Sequence, residues 1–228
     1  MFLFVVALLL LLPLTLFAIV PLGVILTSFK TLLALPGQML AVAFDKRRRR
    51  NHALENATVN VLEQQYGRRL PPGAFAEADG FHIHGPAQPN VVLAAAEEGL
   101  ARLKRGETQL ALHPRGGTMI VSGELISVLT FFVTLLAFRS FAFPALLLAT
   151  VIAILAARTL AQPLGLFLQR TLTTSLDVQT LHIDRVDARM PETPFALVLS
   201  GGYPTQFRVW TQNVEIAEPA GPKRYKAY

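Results

Sequence analysis

The 228-residue sequence predicts an integral membrane α-helical protein of about three spans, carrying a cytoplasmic α+β domain assembled from two separate segments. Three observations predict it. Hydrophobic residues make up 52% of the chain and charged residues 16%, where soluble domains carry about a quarter charged. Long apolar runs recur at residues 2–29, 119–138 and 141–157. The cations avoid those runs: of 21 Lys and Arg, 11 lie in residues 45–118 and 8 in residues 158–228. Zero cysteines exclude a disulfide framework, an iron–sulfur cluster and a thiolate zinc site.

Residues 2–29 carry no charge and exceed the roughly 20 residues that a helical span needs. Pro13 and Pro21 are tolerated as kinks in lipid. No Lys or Arg precedes the run, so an uncleaved anchor over residues 1–30 is favoured over a signal peptide. Residues 31–44 are short for a span and interrupted by Pro36-Gly37; with the basic run through residue 50 they read as an interfacial segment. A second span over residues 21–44 is the alternative and requires burying Lys30. Residues 119–138 and 141–157, joined only by Arg139-Ser140, predict an antiparallel transmembrane hairpin within residues 119–157. Gly123 and Ser127 on one helix, and Ala149, Ala153 and Ala157 on the other, have the four-residue spacing of close helix contacts in lipid. The positive-inside rule puts both cation-rich parts in the cytoplasm and the N-terminus outside. The expected location is a bacterial inner or internal membrane, crossed several times.

The first cytoplasmic segment, residues 51–118, predicts a helix capped by Asn51 and stopped at Gly67, with Leu54, Ala57, Val61 and Leu62 on one face. FHIH at residues 81–84 reads as a strand, residues 89–105 as a helix, and QLALH at residues 109–113 as a second strand, together a candidate βαβ unit. The second segment, residues 158–217, reads as mostly β: strands at 178–186, 195–199 and 206–216, the last two flanking the hairpin-type Ser200-Gly201-Gly202-Tyr203-Pro204. Residues 218–228 read as a loose tail.

The run Lys46-Arg47-Arg48-Arg49-Arg50 beside an apolar segment predicts contact with lipid headgroups, each cation contributing about 1 kcal/mol of attraction. No aromatic interleaving points to nucleic acid, and no nucleic-acid partner is expected. His52-Ala53-Leu54-Glu55-Asn56 is one residue short of H-x-x-E-H, the pattern in which two histidines hold zinc and the glutamate is the base. His82, His84 and His113 are the candidates to complete a metal set with His52, with Glu55 as the catalytic base. The bland alternative makes His52 and Glu55 polar surface residues at a helix start, with Glu55 favoured by the helix dipole. Gly116-Gly117 beside Arg115 lacks the spacing of a phosphate loop and reads as a flexible entry to a span. Glu124, the one acid inside a predicted span, has Arg158 on the returning helix as candidate partner. No G-x-S-x-G, Walker lysine loop, G-x-G-x-x-G or H-E-x-x-H occurs, and there is no series of ten or twelve spans.

NHALENATVNVL, LHPRGGT and LFLQRTLTTS together resemble an uncharacterised family of small bacterial membrane proteins, a domain of unknown function, over about residues 51–180. That family's pattern is closer to H-A-L-E-H-A-T and H-P-x-C-G-T. The chain departs from it at Asn56 and Gly116, so if the family site binds metal through those positions, two ligands are missing here. The resemblance implies no activity. The functional expectation is a non-enzymatic accessory, assembly or scaffold subunit of a larger membrane complex, with membrane lipids and other membrane protein subunits as partners and no cofactor. The alternative is a zinc-dependent membrane hydrolase of peptidase type. A weaker third reading is lipid or pigment binding through residues 31–44.

Overall fold

The computed structural model describes residues 40–67 and 76–213 in full, together with Lys30, Leu33 and Gly37. The anchor expected over residues 1–30, apart from Lys30, residues 31, 32, 34–36, 38 and 39 of the interfacial stretch and the tail 218–228 lie outside the described residues. The chain divides into two compact units: residues 1–44 with 118–169, and residues 45–117 with 170–228.

The apolar unit is built on a helical hairpin. Helices α3 (Gly117–Phe138) and α4 (Phe143–Leu168) are joined by a turn in which Arg139 takes a left-handed φ of 48°. Both are long and apolar enough to cross a membrane. Helix α4 continues past Ala157 to Leu168 and, through the π turn Gln169–Thr173, beyond the end expected from hydropathy. Ala149 and Ala153, two of the expected small residues, are buried against Phe131 and Leu135. Gly123 lies opposite Ala161, so close that an added Cβ would sit 3.4 Å from it. Leu147, Val151, Ile154 and Leu155 of α4 are left exposed.

The polar unit carries a four-stranded, wholly antiparallel sheet of order β1-β2-β4-β3, formed by Ala76–Glu77, Gly80–His84, Gln206–Asn213 and Leu181–Arg189 respectively. Helices α1 (Lys46–Tyr66) and α2 (Pro89–Lys104) share one core with it. Phe81 and Ile83 of β2 and Phe207 and Val209 of β4 alternate inward, as period-2 strands require. Helix α2 buries Val92, Ala95, Ala96, Leu100 and Leu103, the face its 3.6-residue spacing predicts. The helices touch at Gly99 of α2, where a Cβ would come within 3.1 Å of the Ala57 backbone of α1.

Three expectations are corrected. Helix α1 begins at Lys46, five residues before Asn51, because Asp45 caps it by accepting from the amides of Arg47 and Arg48 at 2.9 and 3.1 Å. A carboxylate at the positive helix end is as good a cap as an amide, and the basic run therefore forms the first turns of α1. Gly67 does end the helix, in the left-handed conformation (φ 59°) and with its N–H on the Glu63 carbonyl.

Residues 109–113 are not a strand. Thr108–Ala111 is a 3-10 turn whose neighbouring carbonyls accept from side chains of α1 instead of from a strand, so no βαβ unit forms. Residues 195–199 are also not a strand: Pro194–Leu199 is a short helix, α5, whose first turn is capped by Thr193. A five-residue apolar run does not carry enough periodicity to separate the two forms, and the Thr-Pro start favours the helix.

Gly99→Val is expected to destabilise the polar unit by about 1–3 kcal/mol through overpacking against Ala57, seen as a lowered Tm of the detergent-purified chain. An unchanged Tm would contradict the close approach.

Candidate functional site

Residues 51–58 of α1 are buried without a break. That includes Asn51, His52, Glu55 and Asn56, so His52 and Glu55 are not surface residues, as the bland reading had them. The dipole argument for Glu55 fails as well, because the early cap at Asp45 puts it deep in the helix rather than in its first turn.

Buried polar groups need partners, and most of these find backbone carbonyls on other segments. Asn51 Nδ2 donates to the Glu77 carbonyl at 2.8 Å, and its Oδ1 accepts from the Thr211 hydroxyl at 2.7 Å. Asn56 Nδ2 donates to the Ala111 carbonyl at 2.7 Å, so the residue that stands where an H-x-x-E-H pattern would end holds the 3-10 turn. Asn60 Nδ2 donates to the Leu110 and Leu112 carbonyls, both at 3.0 Å. That orients the amide, so its Oδ1 accepts from His113 Nδ1 at 2.8 Å. His52 Nδ1 lies 2.9 Å from the Thr173 carbonyl, which can only accept, so Nδ1 carries the proton.

Burial lowers the pKa of His52 against the opposing carbonyl bond. Burial likewise lowers that of His113; the nearby Glu63 raises it and Arg115 adds to the lowering. Glu55 is the exception among the buried groups. Its Oε2 is buried with no hydrogen-bond partner, and burial pushes the carboxyl well above the usual carboxylate range.

The expected metal set is not assembled. His52 bonds the π turn and His113 bonds Asn60. His82 faces Glu77 at 3.5 Å, and both it and His84 alternate with the inward residues of β2, on the opposite face of the sheet. Among the described residues no three His, Asp or Glu side chains converge as metal ligands. Glu124 and Arg158 are both exposed and form no ion pair with each other.

The basic run is divided rather than uniform. Lys46 and Arg50 both reach Asp177, holding its carboxyl below the usual range, and Arg48 faces Asp45. Arg49 donates from Nε and Nη2 to the Thr174 carbonyl, while Arg47 is exposed. Asn60 and Asn51 were not singled out from the sequence. For Asn60 the signal existed: residues 52, 56 and 60 repeat at four-residue spacing along one helix face.

These features define a mostly helical protein with a small antiparallel sheet and two helices apolar enough to cross a membrane. A family model described as Domain of unknown function (DUF6391) matches residues 47–186, more than half of the sequence, and the chain belongs to that family. No curated protein and no solved structure matches it.

The titrations have opposite signs. The Glu55 pKa is raised by folding, so its contribution to stability is full below the ordinary 4.5 and is lost as pH rises from there through the folded-state value. Those of His52 and His113 are lowered, so their contribution is full above the ordinary 6.5 and is lost as pH falls below it. Glu55→Gln leaves the histidine part common to both proteins. The Tm of the variant relative to wild type is therefore expected to rise as pH increases above 4.5. A gap independent of pH would show that Glu55 is ionised alike in both states.

Proposed function

We propose that the protein is a membrane-anchored, non-enzymatic accessory, assembly or scaffold subunit of a larger membrane complex. In this reading α3 and α4 cross the bilayer, a further anchor lies in residues 1–30, and the polar unit stands on the cytoplasmic side of a bacterial inner membrane. The positive-inside distribution of Lys and Arg supports the orientation.

The observation that carries the reading is on the polar unit itself. Helix α5 buries none of its residues, and Phe195, Val198 and Leu199 are 74%, 78% and 71% exposed. Met190 and Tyr203, on either side of it, are also exposed. Apolar residues clustered in this way on one surface turn mark an interaction surface more often than a free one. The buried polar side chains of α1, by contrast, are largely engaged in holding the fold, which supports a binding role over a catalytic one.

Two measurements test this. Gentle-detergent extraction followed by native mass spectrometry is expected to show the chain in a larger assembly, and Phe195→Asp with Val198→Asp is expected to release it without lowering its Tm. A lone wild-type chain under several extraction conditions would overturn the reading. Because the sequence has no cysteine, Arg47→Cys and Arg185→Cys give single labelling sites. Both are expected to react with an impermeant maleimide only from the cytoplasmic side, and labelling from opposite sides would overturn the topology.

A further inference from the structure

The polar unit contains a cleft of about 530 Å³ beside the start of α1, lined by Arg49, Arg170, Thr108, Gln109 and Ser175 among others. That volume lies within the range of small-molecule sites. Two arginines, Arg49 and Arg170, are among its lining residues, and no Asp or Glu is. The nearby acids are engaged elsewhere: Asp177 holds Lys46 and Arg50, and Asp45 holds Arg48. No ion pair to Arg170 is recorded among the described residues. Two like charges facing one cleft repel, and an anion between them removes that cost.

The wall is also oriented. The two bonds from Arg49 to the Thr174 carbonyl, at 3.3 and 3.0 Å, fix the guanidinium plane and leave Nη1 uncommitted. The Ser175 amide donates to the Arg49 carbonyl at 3.0 Å, which ties the two sides of the cleft together. Thr108 and Ser175 add hydroxyls and Gln109 an amide, neutral donors suited to the remaining oxygens of a tetrahedral anion. Leu112 and Leu176 complete the lining with apolar surface, which suits an ester carrying a short carbon stem.

We propose that this cleft binds a phosphate ester, with Arg49 and Arg170 holding its anionic oxygens. The ester is supplied either by a phospholipid headgroup or by a small soluble metabolite of the same chemistry. Arg170 follows the end of α4 at Leu168 by two residues, and a cation so close to a span lies at headgroup depth. The lipid source rests on the membrane reading above; the anion chemistry does not.

The test uses the full chain in mild detergent, with glycerol 3-phosphate and inorganic phosphate as soluble probes followed by thermal shift. Nanodiscs of phosphatidylcholine with and without phosphatidylglycerol supply the lipid probe, with retained lipid counted by native mass spectrometry. Arg170→Gln and Arg49→Gln are each expected to weaken binding at least tenfold, whereas Arg47→Gln, an exposed cation of the same run, changes it less than twofold. Among the described residues Arg170 forms no ion pair, and an unchanged Tm of Arg170→Gln is expected to separate lost binding from lost folding.

Saturable retention of phosphatidylglycerol, displaced by glycerol 3-phosphate, supports the site with lipid as its source. Binding of the soluble probes alone supports the site with a metabolite as its source, whether or not the chain assembles with other subunits. Equal losses in all three variants indicate diffuse charge attraction and overturn the proposal. So does a loss confined to Arg49→Gln, and so does a wild-type chain that binds none of the probes.

Discussion

A helix buried along eight consecutive residues is under pressure to give each polar side chain in that stretch a partner, because a buried group without one costs about 1–3 kcal/mol. Residues 51–58 of α1 are such a stretch, and the polar unit is organised around that requirement. The asparagines and His52 reach out to backbone carbonyls of other segments: those of Glu77 in the edge strand β1, Ala111 in the 3-10 turn and Thr173 in the π turn. Irregular backbone needs acceptors filled, and α1 needs its donors filled. Each deficiency answers the other, so the loops are held to the helix by directed bonds as well as by apolar contact.

The same requirement explains why a motif that resembles a metal site is arranged as scaffolding. An imidazole that donates to a backbone carbonyl, and an amide that donates to another, are oriented by those bonds. The positions that would have to converge on one ion instead point to different segments. Spacing at i, i+3 and i+4 places side chains on one helix face, and it does so equally for ligands and for hydrogen-bond donors. Only the partners on the other elements distinguish the two. Glu55 stands apart because its buried carboxyl has no bond of this kind, and the neutral acid is the form that burial favours.

This marks how far the sequence is readable. The hairpin of apolar helices, the inward face of α2 and the stop at Gly67 follow from periodicity and a single left-handed glycine, both local properties. The expected membership of an uncharacterised family is matched by a family model over residues 47–186. What was missed depends on partners far along the chain. Residues 109–113 alternate like a strand, but Asn56 and Asn60, about 50 residues earlier, take their carbonyls. Residues 195–199 form a helical turn because Thr193 and Pro194 start one, while β4 pairs instead with β2 and β3. The burial of Glu55 was illegible because it depends on where α1 begins.

That starting point also decides what the cations can do. Had the run from Lys46 to Arg50 been extended, its side chains would have alternated and formed two charged edges of similar character. Capped by Asp45 and wound into α1, successive side chains are instead about 100° apart, so five adjacent cations meet four different surroundings. Lys46 and Arg50, one turn apart, share Asp177; Arg48 turns back to the cap; Arg49 is directed to the Thr174 carbonyl and the cleft; Arg47 is left exposed. A single capping aspartate thus converts a uniform basic string into a structured set in which one arginine lines a cleft together with a second, Arg170, and no acid lines it. The distribution of these cations follows from helix phase, and net charge alone does not describe it.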